Sequence, residues 1–161
     1  MVSKRLSREA GHRRKFLAVV DETPECGRAV AYAARRAKTP AARSFSFRDR
    51  RFRLPADSGC RGDHAHGSAG SCPGRARKIC RHRARGAGIE PEISIREGET
   101  ADQLLSLIEE DQDIAILVLA AGSGKEGPGP LVQSLASRSQ FPIPVTVIPA
   151  GMSDDDIDAV T

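Results

Sequence analysis

At 161 residues the chain has the length of one domain, enough to bury a single core and too little for two. Its 25 Lys and Arg against 21 Asp and Glu give a net +4, but residues 41–86 hold 12 of the basic residues against three acids, a local +9, while the rest sums to −5. Concentration of the positive charge in that one stretch removes most of the invitation to nucleic-acid or membrane-surface binding that a net basic chain would carry.

Cysteine divides the same way, with Cys60, Cys72 and Cys80 inside that stretch and Cys26 outside it, and no disulfide framework is implied. The N-terminal segment is basic, yet the apolar run after it extends only from Phe16 to Val20, too short for a signal h-region or a membrane span. A cytoplasmic chain with reduced thiols and no membrane contact is expected.

Lys15 to Val20 (KFLAVV) is a short continuous apolar run ending on Asp21, as a buried parallel strand would. Thr23-Pro24-Glu25 predicts a helix start with Thr23 as N-cap. The helix runs to about Lys38, with Cys26, Ala29, Val30, Ala33, Ala34 and Ala37 on its apolar face. Ile89, Ile93 and Ile95 mark a strand ending at Arg96. Thr100 and Gln103 predict a capping box for a helix whose inward residues are Ala101, Leu104, Leu105 and Ile108 and whose end is near Asp111.

Ile114 to Ala121 (IAILVLAA) is apolar on both alternations, the mark of a central strand covered on both faces. A glycine-rich loop, Gly122 to Gly129, precedes a short helix with Leu131, Val132, Leu135 and Ala136 inward. Pro142-Ile143-Pro144 introduces a last strand, Val145 to Ile148, and an acidic tail over 152–161 is expected to fray. Strands alternating with helices predict an α/β fold, a doubly wound parallel sheet, as a single domain over 1–161.

Residues 41–86 interrupt this grammar as an aberrant, basic, irregular insert, so the second strand and second helix are expected to be missing or disordered. Three readings compete for it. One is a basic nucleic-acid-binding arm over 43–85, with Phe45, Phe47 and Phe52 placed among arginines to stack on bases. A metal site from Cys60, His64, His66, Cys72, Cys80 and His82 is the second, but these spacings match no paired zinc pattern, so no metal is expected.

The third reading is translation in a shifted frame. Codons permitted for Asp63–Arg83, read one nucleotide later, allow IMRTEAREAAQAALARYADI, an amphipathic helix; the same shift over Ala42–Asp49 allows LVLFLFVI, a buried strand. Those are the two absent elements in the absent order, and this reading is preferred. Its extreme form is a non-functional frame-shifted product.

The phrases KFLAVVDETPECGRAVAYAARRA, IREGETADQLLSLIEEDQDIAILVLAAGSGKEGPGPLVQSLA and FPIPVTVIPAG, in this order and spacing, resemble the universal stress protein family. The resemblance covers residues 15–38 and 88–150 and implies a five-stranded parallel sheet in the order 3-2-1-4-5. It also implies a non-enzymatic stress-response module, a homodimer paired through Val145 to Ile148, and an adenine nucleotide, ATP or AMP, held at the loop after the fourth strand.

In the family that loop reads G-x₂-G-x₉-G-[ST]. Here Gly124 takes the second glycine position with Ala121 at the first and Ser134 at the third; alternatively Gly124 and Gly127 supply the pair and Ser137 falls third. The candidate nucleotide-binding residues are Val20, Asp21, Gly122, Gly124, Gly127 and Ser134. A glycine turn at the carboxyl end of a central strand suits phosphate, although Pro128 and Pro130 remove two amide donors from it.

Cys26 is expected to pack on its helix face. His12 has no visible partner, and Glu109, Glu110, Asp111 and Asp113 read as a solvated helix end. No nucleophile, base and orienter set stands out, so catalysis is not expected.

Overall fold

The computed structural model describes residues 4–20, 23, 25–38, 44–50, 82, 84–96, 98–124, 127–138 and 140–161, with Ser44–Arg50 and Ile95 described in backbone only. Five strands form one sheet: β1 (Lys15–Val20), β2 (Ser44–Arg50), β3 (Glu92–Arg96), β4 (Ile114–Ala120) and β5 (Val145–Ile148). Their order is β3-β2-β1-β4-β5 and every pairing is parallel. The helices are α1 (Cys26–Ala37), α2 (Thr100–Glu110), α3 (Pro130–Ala136) and α4 (Asp154–Val160).

The period-two geometry of a strand sends successive side chains to opposite faces, and β1 builds a core on each. Phe16, Ala18 and Val20 pack against Cys26, Ala29, Val30, Ala33 and Ala37 of α1. Leu17 and Val19 pack instead with Ala101, Leu104, Leu107 and Ile108 of α2. In β4, Val118 joins the first cluster while Ile114, Leu117 and Leu119 join the second, so both faces of the central strands are covered. The doubly wound α/β class is therefore the observed architecture.

The expectation that the second strand is lost is corrected by the backbone. Ser44–Arg50 pairs with β1 from Lys15↔Ser44 to Val20↔Asp49, and with β3 from Ser46↔Glu92 to Arg50↔Arg96. The alternation Ser-Phe-Ser-Phe that opens this strand is itself a period-two pattern, and two parallel neighbours satisfy its amides and carbonyls on both sides. The second helix falls largely outside the described residues. Residue 82 and residues 84–86 are helical, and Ala84 is fully buried in the α1-side core.

The tail is a second correction, since it forms a helix where fraying was expected. Ser153 accepts a hydrogen bond from the Asp156 amide while the Asp156 carboxylate accepts from the Ser153 amide, a capping box. Three aspartates in the first turn complement the positive helix end. Ile157 is fully buried, and Arg35 of α1 pairs with Asp158. An acidic composition alone did not reveal that one apolar residue anchors the segment.

Helix starts also differ from the sequence reading. α1 begins at Cys26 with Glu25 at the cap position, and α2 is capped by Glu99, whose side chain makes no cap bond, so the Thr100–Gln103 box does not form. The inward face of α2 uses Leu107 where Leu105 was expected, and Ala136 of α3 is exposed.

At the amino end of the sheet the leader folds back beside α2. Arg5 donates to the Ile108 carbonyl, and His12 Nδ1 lies 2.8 Å from Asp113 Oδ1. Lys15 bridges Asp111 and Glu92, and Arg96 pairs with Glu110. His12 therefore has a partner, and of the acids read as merely solvated, Glu110, Asp111 and Asp113 are paired; the partners come from 14 to 101 positions away. Among the described residues no helix is long and apolar enough to cross a membrane.

Candidate functional site

A cavity of about 590 Å³ opens at the carboxyl ends of β1 and β4. The chain leaves β1 toward β2 on one side and enters β4 on the other, so this is where the strand order reverses and where open parallel sheets form crevices. The strands supply an apolar floor from Val19, Leu119 and Ala120. The start of α1 contributes Thr23, Glu25 and Cys26, and the start of α2 contributes Glu99 and Thr100. The remaining wall is Gly122, Pro128, Gly129 and the inner side of α3, including Leu131, Val132 and Ser134.

The loop between β4 and α3 closes on itself. The Gly122 amide donates to the Pro128 carbonyl at 3.4 Å and the Gly127 amide to the Gly124 carbonyl at 3.3 Å. Gly127 and Gly129 have φ of +93° and +99°, in the region open to glycine at little cost. Pro130 then opens α3 at its first position, where a missing N–H is tolerated.

Charge at the site is acidic. Glu25 and Glu99 both line the cavity, and among the described lining residues there is no Lys, Arg or His. Ser123 Oγ donates to Glu25 Oε1 at 3.4 Å, tying the start of α1 to the loop. Burial favours the neutral form of Glu25, but it is outweighed by hydrogen bonds from its own backbone, the backbone of Ser123 and the Thr23 side chain, with the charge of Arg28 adding to them. The carboxyl is consequently held below its usual range and is ionised at neutral pH. Arg28 also donates to the Ala121 carbonyl at 3.3 Å, from the first turn of α1 to the head of the loop.

The expected site residues are distributed unevenly around this cavity. Gly122 and Ser134 line it. Gly124 and Gly127 are exposed and shape the loop instead of forming its wall. Val20 is fully buried on the α1 side, and the cavity is met by its neighbour Val19. Asp21 lies outside the described residues. Of the two alternative loop registers, the one using Ala121, Gly124 and Ser134 brings its last residue to the cavity; Ser137 instead caps α3 and donates to the Gln133 carbonyl at 2.8 Å.

Val19, Glu25, Glu99 and Thr100 were not foreseen. Strand alternation could have identified Val19, since Val20 and the α1 face belong together. Glu99 and Thr100 join the site only because α2 begins beside β1. Cys26 packs in the core with Ala29 and Val30 and also borders the cavity. No group of three or more metal-ligating side chains occurs among the described residues, and of the six cysteines and histidines of the basic stretch five lie outside them, His82 being described and exposed.

No protein-family model and no curated protein sequence matches the chain. Solved structures do. A universal stress protein determined in complex with cAMP is similar at 20% identity and a TM-score of 0.59, covering 86% of this chain and 98% of its own. A universal stress protein from Archaeoglobus fulgidus is similar at 18% identity and a TM-score of 0.59, covering 89% of this chain and 98% of its own. The universal stress protein UspA from Lactobacillus plantarum is similar at 14% identity and 0.53, covering 86% and 99%. The chain therefore has the fold of the universal stress proteins, across nearly the whole length of each of these structures.

Proposed function

We propose that this protein is a non-enzymatic stress-response module of the universal stress type that binds an adenine nucleotide, ATP or AMP, in the cavity at the carboxyl ends of β1 and β4. The observation that carries this reading is the position and build of the cavity. Apolar side chains from the two central strands make a floor suited to a base, and a glycine loop with the Ser134 hydroxyl lies beside it. The similarity to a structure solved with cAMP supports the same ligand class. No nucleophile with a base and an orienting group faces the cavity among the described residues, so binding is proposed without catalysis.

Titration calorimetry with AMP, ATP and cAMP tests this. Saturable binding by at least one, weakened by Leu119→Arg on the cavity floor, is the expected result. Absence of heat with all three at millimolar concentration would overturn it.

Three further parts of the reading are proposals. The protein works in the cytoplasm and forms a homodimer by edge pairing of β5. Residues 41–86 derive from a shifted frame. What supports the last point is the break in composition, a local +9 over residues 41–86 against −5 elsewhere. Sequencing the encoding gene tests it: an uninterrupted frame with no compensating insertion and deletion is the adverse result. Correcting the frame should raise the thermal midpoint.

A further inference from the structure

We propose that Glu25 is the charge-selecting residue of this cavity: its carboxylate holds the loop at Ser123 where a phosphate chain would bind, and so the site favours a ligand of low negative charge over a triphosphate. The inference rests on the nucleotide-binding reading and deepens it.

Two observations meet here. Among the described residues of the loop after β4, several backbone positions have no amide free to offer an anion. Pro128 and Pro130 have no N–H, and the amides of Gly122 and Gly127 are turned to carbonyls of the same loop. The Ser123 hydroxyl, one residue beyond the lining Gly122, already donates to Glu25 Oε1 at 3.4 Å. An incoming phosphate must therefore displace a carboxylate that arrives from the adjoining helix.

The second observation is the balance of charge. Glu25 and Glu99 face the cavity with no cationic side chain among its described lining residues. Among the described residues Arg28 is a nearby cation, bonded to the Ala121 carbonyl, and its charge is already opposed by Glu25. Glu25 thus subtracts twice from anion affinity, by occupying a donor and by opposing the charge of the Arg28 guanidinium. Hydrogen bonds hold its carboxyl below the usual range, so it stays charged throughout the physiological pH range.

A nucleoside or a monoanion escapes most of this penalty, because apolar contact with Val19 and Leu119 supplies its binding. Each added phosphate charge meets the two carboxylates in a recess where screening is weaker than in bulk water. Adenosine and the monoanion cAMP should therefore bind more tightly than ATP, with AMP between them, when no divalent cation accompanies the ligand.

Wild type, Glu25→Gln and Glu25→Ala are compared by calorimetry in magnesium-free buffer with adenosine, ATP and inorganic tripolyphosphate, after circular dichroism confirms that all three fold. Glu25→Gln removes the charge and keeps the length; Glu25→Ala also frees the Ser123 hydroxyl. The ratio of ATP to adenosine affinity should rise about tenfold in Glu25→Gln and further in Glu25→Ala, the scale of one charge-assisted hydrogen bond. Tripolyphosphate affinity should rise in the same order. Ratios within twofold of wild type, with adenosine bound, would overturn the charge-selecting role and leave the nucleotide reading intact. Tripolyphosphate uptake by the variants without adenosine binding by any of them would keep the role of Glu25 and remove the nucleotide. No tripolyphosphate binding by either variant counts against the proposal.

Discussion

The ammonium of Lys15, the first residue of β1, lies 2.8 Å from the Asp111 carboxylate that follows the last turn of α2. The same ammonium reaches Glu92 of β3 at 2.9 Å, so one side chain links the first strand, the outer strand and a covering helix. Burial opposes its charge, but hydrogen bonds to Asp111 and Glu92 outweigh burial and raise the Lys15 pKa above its ordinary 10.5.

A lysine whose pKa is raised on folding stabilises the protein below the unfolded value, and that stability is lost as pH rises through the folded value. Lys15→Met should lower unfolding free energy by about 1 kcal/mol at pH 7. It should also remove part of the destabilisation expected of wild type as pH rises above 10.5. Urea titrations at pH 7, 9 and 11 measure both effects; equal loss at all three pH values contradicts the linkage.

Ile157 decides whether the acidic tail belongs to the domain. Its side chain is fully buried. Ile157→Ala should therefore cost about 2–4 kcal/mol, as truncation of a buried branched residue does. Denaturant unfolding of this variant beside Val160→Ala, whose side chain is exposed, checks it: a loss no larger than for Val160→Ala would return the tail to the frayed state expected from composition.

Gly127 combines a φ of +93° with a position where an added methyl would sit 3.3 Å from Gln133 Nε2. Gly127→Ala should strain the loop by about 1–2 kcal/mol. The change should weaken nucleotide binding several-fold while the thermal midpoint falls by only a few degrees. Unaltered affinity would show that the loop does not contact the ligand.

β5 is the end of the sheet order, and Val145 and Val147 on it are more than a third exposed. An apolar sheet edge invites pairing with another chain. Light scattering should give the mass of a dimer at micromolar concentration, and Val147→Lys should give a monomer of 17.2 kDa. A monomeric wild type removes the edge-pairing proposal.

The place of the candidate site was legible in the residues because a parallel sheet puts its crevice at strand ends, and the ends of β1 and β4 are marked by apolar runs followed by turn residues. Gly122 was located by that logic, and Ser134 by the loop pattern of the family that the sequence resembles. Val20 was not, because it lies one residue from the cavity floor and the pleat turns it to the opposite face. Glu25 and Glu99 escaped notice since neither belongs to a local pattern: each is an ordinary acid before a helix until two helix starts converge on one loop.

What the sequence determined by itself is the α/β class, through two-sided apolar runs at β1 and β4 and a 3.6-residue stripe on α1, because hydrophobic period is a local property. Tertiary structure decided the rest. The slot between β1 and β3 makes a strand of Ser44–Arg50, whose own composition argues for little order, because two parallel neighbours satisfy its backbone. Partners more than 90 positions apart give His12 its aspartate and Glu25 its serine. Contacts of that separation carry no sequence period, so only the folded chain reveals them.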